Sequence, residues 1–248
     1  MKPVGLWFLL VCLVITGPLA RAGTVRVAVS SNFAGTLRDL AGPFEQQTGH
    51  RVQITPGSTG KHYAQISNGA PFDVFLAADV RRPALLEAAG FGVPGSRFTY
   101  ALGQLVLWSP EAGKVDAKGT ILRRGDFSRL AMANPKLAPY GRAAREVLES
   151  CGVWDRLQAK IVRGENIAQT FQFIRSKNAQ LGFIARSQLL RKGKAPGGSW
   201  WNIPRTRYRP IEQQALQLRD TPAAQAFMRF LKSPLARKVI KDNGYGLP

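Results

Sequence analysis

The octapeptide Pro56-Gly57-Ser58-Thr59-Gly60-Lys61-His62-Tyr63 has the glycines, hydroxyls and lysine of a phosphate-binding loop. A nucleotide loop of the form G-x-x-x-x-G-K-[ST] also needs its first glycine and a hydroxyl that sits on magnesium. Those two positions hold Thr55 and His62, which excludes nucleotide binding of that kind. What remains is a glycine and hydroxyl turn opening a helix, able to capture an anion through main-chain N–H groups. Three further junctions between a predicted strand and a predicted helix carry similar residues: Ser30-Ser31-Asn32, Pro139-Tyr140-Gly141 and Glu165-Asn166-Ile167. Each alone is ordinary capping or turn chemistry. Together they present unpaired N–H groups and the positive ends of four helix dipoles, which could converge on one small anion. Lys61, two residues past Thr59, is expected to face solvent rather than the anion.

Other chemistries are poorly supplied. Ser58-x-x-Lys61 matches the nucleophile pair of β-lactamases and related penicillin-binding enzymes, but the accompanying S-D-N and K-T-G elements are missing. No G-x-S-x-G elbow occurs, and His50 and His62 are the two histidines available for a triad. A secreted hydrolase is therefore a remote alternative, and the chain reads as no enzyme. Two histidines, one thiol outside the leader and scattered carboxylates form no metal-ligand pattern. Asp79 reads as a cap for the helix after it.

The elements that must position these loops alternate. Thr24–Val29, Arg51–Thr55 and the stretch "FDVFLAA" read as strands, each followed by a helix: Phe33–Thr48, Thr59–Asn68 and Arg82–Ala89. Right-handed crossovers make these strands parallel. "FTYALGQLVLWS" is a long extended run that can pass from one lobe to another. Strands at Leu130–Ala133, Lys160–Val162 and "LGFIA" follow, with helices from Tyr140 and over Ile167–Ser176. Lys192–Pro210, rich in Gly, Pro and basic residues, reads as a surface loop in which Trp200 and Trp201 pack locally. "IEQQALQL" reads as a strand returning to the first lobe, and helices over Ala223–Leu231 and Pro234–Lys241 close the chain. The expected fold class is α/β with two lobes and a cleft between them. Lobe 1 is assigned residues 23–104 and 216–248, and lobe 2 residues 105–215.

Composition sets the setting. The first 22 residues have a positive start, an apolar run from Val4 through Ile15 and an Ala20-Arg21-Ala22 site, the pattern of a cleavable secretory signal peptide. That run is shorter than the roughly 20 residues that span a bilayer. Cys12 falls in this leader, so Cys151 is left alone and no internal disulfide is expected. The formal net charge of the full chain is +20. Its basic residues are spread along the chain with no nucleic-acid module, which argues for anion steering or solubility rather than nucleic-acid binding.

Over nearly all of its length beyond the leader, the chain resembles the periplasmic molybdate-binding proteins that feed ABC transporters, in the branch with asparagine in the first binding loop. The resemblance is carried by "VAVSSNF", "PGSTGKHYAQISNGAPFDVFLAAD", "LAMANPKLAPYGRAAREVL" and "VRGENIAQTFQFI". It implies a type II periplasmic binding protein fold with oxyanion contacts from Ser31, Asn32, Ser58, Thr59 and Tyr140, and from Ile167 through its main-chain N–H. Some members place a tyrosine after the strand that here is "LGFIA"; this chain has Ala185 there, and Tyr140 is expected to stand in for it. The resemblance also implies molybdate or tungstate as ligand, no cofactor, a membrane permease as partner, a periplasmic location and a monomer. A protein of the same fold for sulfate or another small anion is the alternative. Molybdate at neutral pH carries no proton and only accepts hydrogen bonds, which suits hydroxyls, amides and N–H groups. Phosphate keeps a proton and would want an acceptor, and Glu165 is the one carboxylate near the four loops.

Overall fold

Valines at alternate positions of Thr24–Ser30 (β1), with Ala28 between them, make a strand buried on both faces. Such a strand belongs at the centre of a parallel sheet covered by helices. The computed structural model describes residues 22–190 and 197–248. Residues 1–21, nearly all of the expected leader, lie outside them. β1 pairs in parallel with Arg51–Gly57 (β2) and Val74–Leu76 (β3). Helices Ala34–Thr48 (α1) and Thr59–Ser67 (α2) make the two crossovers, and Arg81–Ala88 (α3) follows β3. Gly49 ends α1 at φ 70°, a left-handed conformation that suits glycine and lets the chain turn at once into β2.

The chain changes sheet at Gln104. Phe98–Gly103 (β4) stays in the first sheet, whereas Leu105–Ser109 (β5) belongs to a second. That second sheet holds Leu130–Ala133 (β6), Ile161–Gly164 (β7), Leu181–Ala185 (β8) and Ser199–Asn202 (β9), in the order β7-β6-β8-β5-β9. Its helices are Ile121–Arg124 (α4), Pro139–Ser150 (α5), Trp154–Leu157 (α6), Ile167–Arg175 (α7) and Arg186–Leu189 (α8). Ile211–Gln217 (β10) then re-enters the first sheet, giving the order β2-β1-β3-β10-β4, and Pro222–Leu231 (α9) and Pro234–Asp242 (α10) finish it. The expected return at 216 falls inside β10. The strand joins the first sheet from Ile211, because Ile211 and Gln213 already pair with Gly103 and Ala101 of β4.

Both sheets repeat one plan, three parallel strands bordered by an antiparallel one. Each buries its own apolar core. Val27, Leu37, Phe44, Phe227 and Ile240 fill the first, and Leu107, Met132, Val147, Phe183 and Trp201 the second. A fully buried side chain of this size contributes about 2 kcal/mol, so most of the apolar stabilisation lies within the lobes, while Ala78 and Ile211 of the first reach into the core of the second. The tail adds a last bridge, with Leu102 and Gly246 exchanging both main-chain hydrogen bonds at 2.8 and 2.9 Å.

One expected loop is a strand. Ser199–Asn202 pairs antiparallel with β5, matching Trp200 with Trp108 and Trp201 with Leu107. Aromatic residues favour pleated, half-buried surface, and Trp201 is buried in the second core. Gly197-Gly198 and Pro204 on either side disguise the strand as a loop. Residues 191–196 of that stretch lie outside the described residues. The helical turns α4, α6 and α8 are too short to show a period.

Candidate anion-binding site

Each of the four junctions lies at the carboxyl end of a parallel strand, where open α/β sheets hold ligands. β1 delivers Ser30-Ser31-Asn32, β2 delivers Ser58 and Thr59, β6 leads through 134–138 to Tyr140, and β7 leads to Asn166 and Ile167. The loops are tied to one another. Ser31 N donates to Gly57 O at 2.9 Å, and the Ser30 and Thr59 hydroxyls meet at 2.5 Å, joining the first two. Asn134 N donates to Gly164 O at 2.7 Å and joins the last two. Across the seam, Gly60 N donates to Leu137 O at 2.9 Å and Ala168 N donates to Ser31 Oγ at 3.3 Å. A Cβ on Gly60 would stand 3.0 Å from that same Leu137 oxygen, so glycine is what lets the second loop reach the other lobe.

In the first loop, Ser31 Oγ accepts the Ala168 bond and keeps its own proton to give. Asn32 is buried and its amide turns inward: Nδ2 donates to Gln213 Oε1 at 2.8 Å and to Tyr245 Oη at 3.1 Å. In the second loop, Ser58 caps α2, its Oγ accepting from Lys61 N at 3.3 Å, and this hydroxyl proton is also free to donate. Thr59 spends its hydroxyl on Ser30 and on Ala78 N, 3.2 Å away. Among the described residues, the main-chain N–H groups of Asn32, Ser58, Thr59, Tyr140 and Ile167 have no protein acceptor. These are the unpaired donors that a helix start leaves open.

Tyr140 is buried on the first turn of α5, and its hydroxyl accepts from Gln213 Nε2 at 3.4 Å. Burial, with the phenols of Tyr245, Tyr208 and Tyr100 nearby, holds it well above its ordinary value of 10.0, so it is protonated at neutral pH. Asn166 caps α7, its Oδ1 accepting from Ala168 N and Gln169 N at 3.0 and 3.1 Å. Ala185, buried at the end of β8, offers no hydroxyl.

The charged groups beside these loops have partners within the protein. Lys61 Nζ lies 3.5 Å from Glu165 Oε2, both half exposed. Asp79 accepts from Arg82 N at 3.0 Å and pairs with its guanidinium at 2.6 Å, as a helix cap. His62 is buried beneath Gly57, with Nε2 3.2 Å from Val29 O and Nδ1 3.0 Å from Gln65 Oε1. Burial lowers its pKa and keeps it neutral. Among the described residues no three His, Cys, Asp or Glu side chains gather as a metal site. Arg82 also reaches across the seam, Nη2 donating to Lys136 O at 2.9 Å. The donors left unpaired at the four loops are themselves uncharged, which suits a guest that only accepts.

Sequence reasoning missed Gln213, Tyr245 and Tyr100, which support the loops from behind. A polar pair inside the otherwise buried strand "IEQQALQL" was the available signal.

Two α/β lobes that close helix amino ends on a shared seam define a solute-binding protein. The chain belongs to the bacterial extracellular solute-binding protein family, whose profile matches residues 25–246. The molybdate-binding protein ModA of Azotobacter vinelandii is 51% identical over 231 residues, covering 92% of each chain. ModA of Rhodobacter capsulatus is 44% identical, covering 91% of this chain and 89% of its own. A solved structure of the Azotobacter vinelandii periplasmic molybdate-binding protein superposes with a TM-score of 0.87 at 45% identity, over 90% of this chain and 99% of that one. The sulfate-binding protein SubI of Mycobacterium tuberculosis shares the fold, with a TM-score of 0.73 at 14% identity over 91% and 87% of the two chains.

Proposed function

We propose that this protein captures molybdate between its two lobes and delivers it to an ABC permease. It is a binding protein, not an enzyme, and molybdate is its cargo rather than a cofactor. The observation that carries the reading is the set of unpaired, uncharged donors at the four loops, set beside relatives named for molybdate. A tetrahedral dianion without a proton can accept from the hydroxyls of Ser31, Ser58 and Tyr140 and from the N–H groups of Asn32, Ser58, Thr59 and Ile167. Such charge-assisted bonds are the stronger class, and four helix dipoles add to them. Without a cation in contact, the ligand can also leave when the permease draws the lobes apart.

Tungstate has the same shape and charge, and we assign it as a second ligand. Residues 1–22 act as a cleaved leader and the mature protein works in the periplasm; the positive start, short apolar run and Ala-Arg-Ala site support this. We read the mature protein as a monomer, which sedimentation would test.

Titration calorimetry of the mature protein with molybdate, tungstate, sulfate and hydrogenphosphate tests the reading. We expect saturable one-to-one binding of molybdate and tungstate, sulfate weaker by at least about a hundredfold, and hydrogenphosphate weaker still. Sulfate binding as tightly as molybdate would remove the assignment.

A further inference from the structure

Behind the first loop, five polar groups form a chain whose direction can be deduced without seeing a hydrogen. It begins at a main-chain carbonyl, which only accepts. Tyr245 Oη lies 2.8 Å from Asn32 O and donates its proton there. Having spent that proton, Tyr245 must accept from the Asn32 side chain 3.1 Å away, so the Asn32 group facing it is the NH2. The second hydrogen of that NH2 goes to Gln213 at 2.8 Å, so Gln213 turns its oxygen to Asn32. Tyr100, whose hydroxyl sits 3.2 Å from Gln213 Oε1 and 3.3 Å from Ala77 O, donates into the same arrangement. Gln213 is left with its NH2 toward Tyr140, 3.4 Å from the phenol oxygen. Tyr140 must accept there, and its own proton is free for the anion.

We propose that Gln213 is a positioning residue that fixes Tyr140 as a hydrogen-bond donor to the oxyanion, with its own orientation set by Asn32 and Tyr245. This rests on the reading of the seam as an oxyanion site. The chain also crosses between lobes: Asn32, Tyr100, Gln213 and Tyr245 stand with the first sheet, and Tyr140 with the second. The donor direction of Tyr140 is therefore set when the lobes shut and is lost when they part. Capture and release thus gain a switch that needs no titration. Gln213 is completely buried and its strand runs between β3 and β4, so the chain is held by core packing rather than by a mobile loop.

A double-mutant cycle separates this role from simple support. Molybdate affinity would be measured by calorimetry for Gln213→Met and Tyr245→Phe, each in the wild-type and the Tyr140→Phe backgrounds, with thermal melting of the apo proteins to confirm folding. Tyr140→Phe should weaken binding about tenfold, the loss of one charge-assisted bond. Gln213→Met should cost a similar factor, and Tyr245→Phe, which keeps the ring and its packing, about threefold or more. In the Tyr140→Phe background both should cost less than about twofold, because the hydroxyl they orient is gone. Losses that multiply unchanged in that background, or no loss from either variant, would overturn the proposal. Wild-type protein that ignores molybdate would sink the ligand reading instead, and the same cycle run with whichever tetrahedral dianion binds would still report on Gln213.

Discussion

Lys61 stands beside the second of the proposed loops and yet pairs across the seam with Glu165, next to the fourth. An exposed pair of this kind is worth little, about 0–1 kcal/mol. Lys61→Ala should therefore leave the molybdate Kd within about threefold in calorimetry. A loss of two orders of magnitude would mean that a cation grips the anion after all. Ser58 and Asn166 were legible in the sequence because helix caps accept few residue types, and both cap as their positions imply. The inward turn of the Asn32 amide was not legible. Its partner Gln213 is 181 residues away, and no local rule announces a contact between a loop and a strand so distant in the chain.

The elements keep the loops in place through a few buried ties, of which Arg26 and Asp73 form the clearest. Asp73, at the start of β3, accepts from Arg26 N, Nε and Nη2 at 2.8, 2.9 and 2.9 Å, pinning β3 to β1. Burial pushes the Asp73 carboxyl up, but the Arg26 hydrogen bonds and charge, with Arg219, outweigh it and hold the pKa below 3.8. A carboxylate lowered on folding stabilises above its unfolded value, and that contribution fades as pH falls through the lower folded value. Asp73→Asn should cost about 1 kcal/mol at pH 7 in urea unfolding, because it removes the anion from Arg26, whose side chain is 35% exposed and can turn to water. The gap to wild type should narrow below pH 3.8. A gap that stays constant would remove the carboxylate from the account.

At this scale the three parallel βα units and the split of "FTYALGQLVLWS" into β4 and β5 were readable, since strand period and helix period differ. β9 was not, because its core-facing tryptophan depends on pairing with β5 and on the room Gly119 leaves for the Trp201 ring.

Across the whole molecule charge is unevenly shared. Residues 105–210 carry 20 Lys and Arg against 7 Asp and Glu, a net +13, whereas 22–104 with 211–248 carry 13 against 8, a net +5. The field is strongest on the second lobe, where Lys136, Arg142, Arg145, Arg163 and Arg209 line one hollow with two glutamates. Because no cation touches the proposed ligand, this charge acts on approach rather than on grip. Stopped-flow tryptophan fluorescence should show the molybdate association rate falling about tenfold between 20 mM and 500 mM salt, with dissociation nearly unchanged. A dissociation rate that rises in step would place charge in the contact itself.

The bridge from Leu102 to Gly246 does more than tidy the carboxyl end, since it seats Tyr245 against Asn32. The hydroxyl that props the Asn32 carbonyl thus comes from a segment 213 positions along the chain. Gly246→Pro, which removes the N–H given to Leu102 O, should loosen the proposed first loop from a distance.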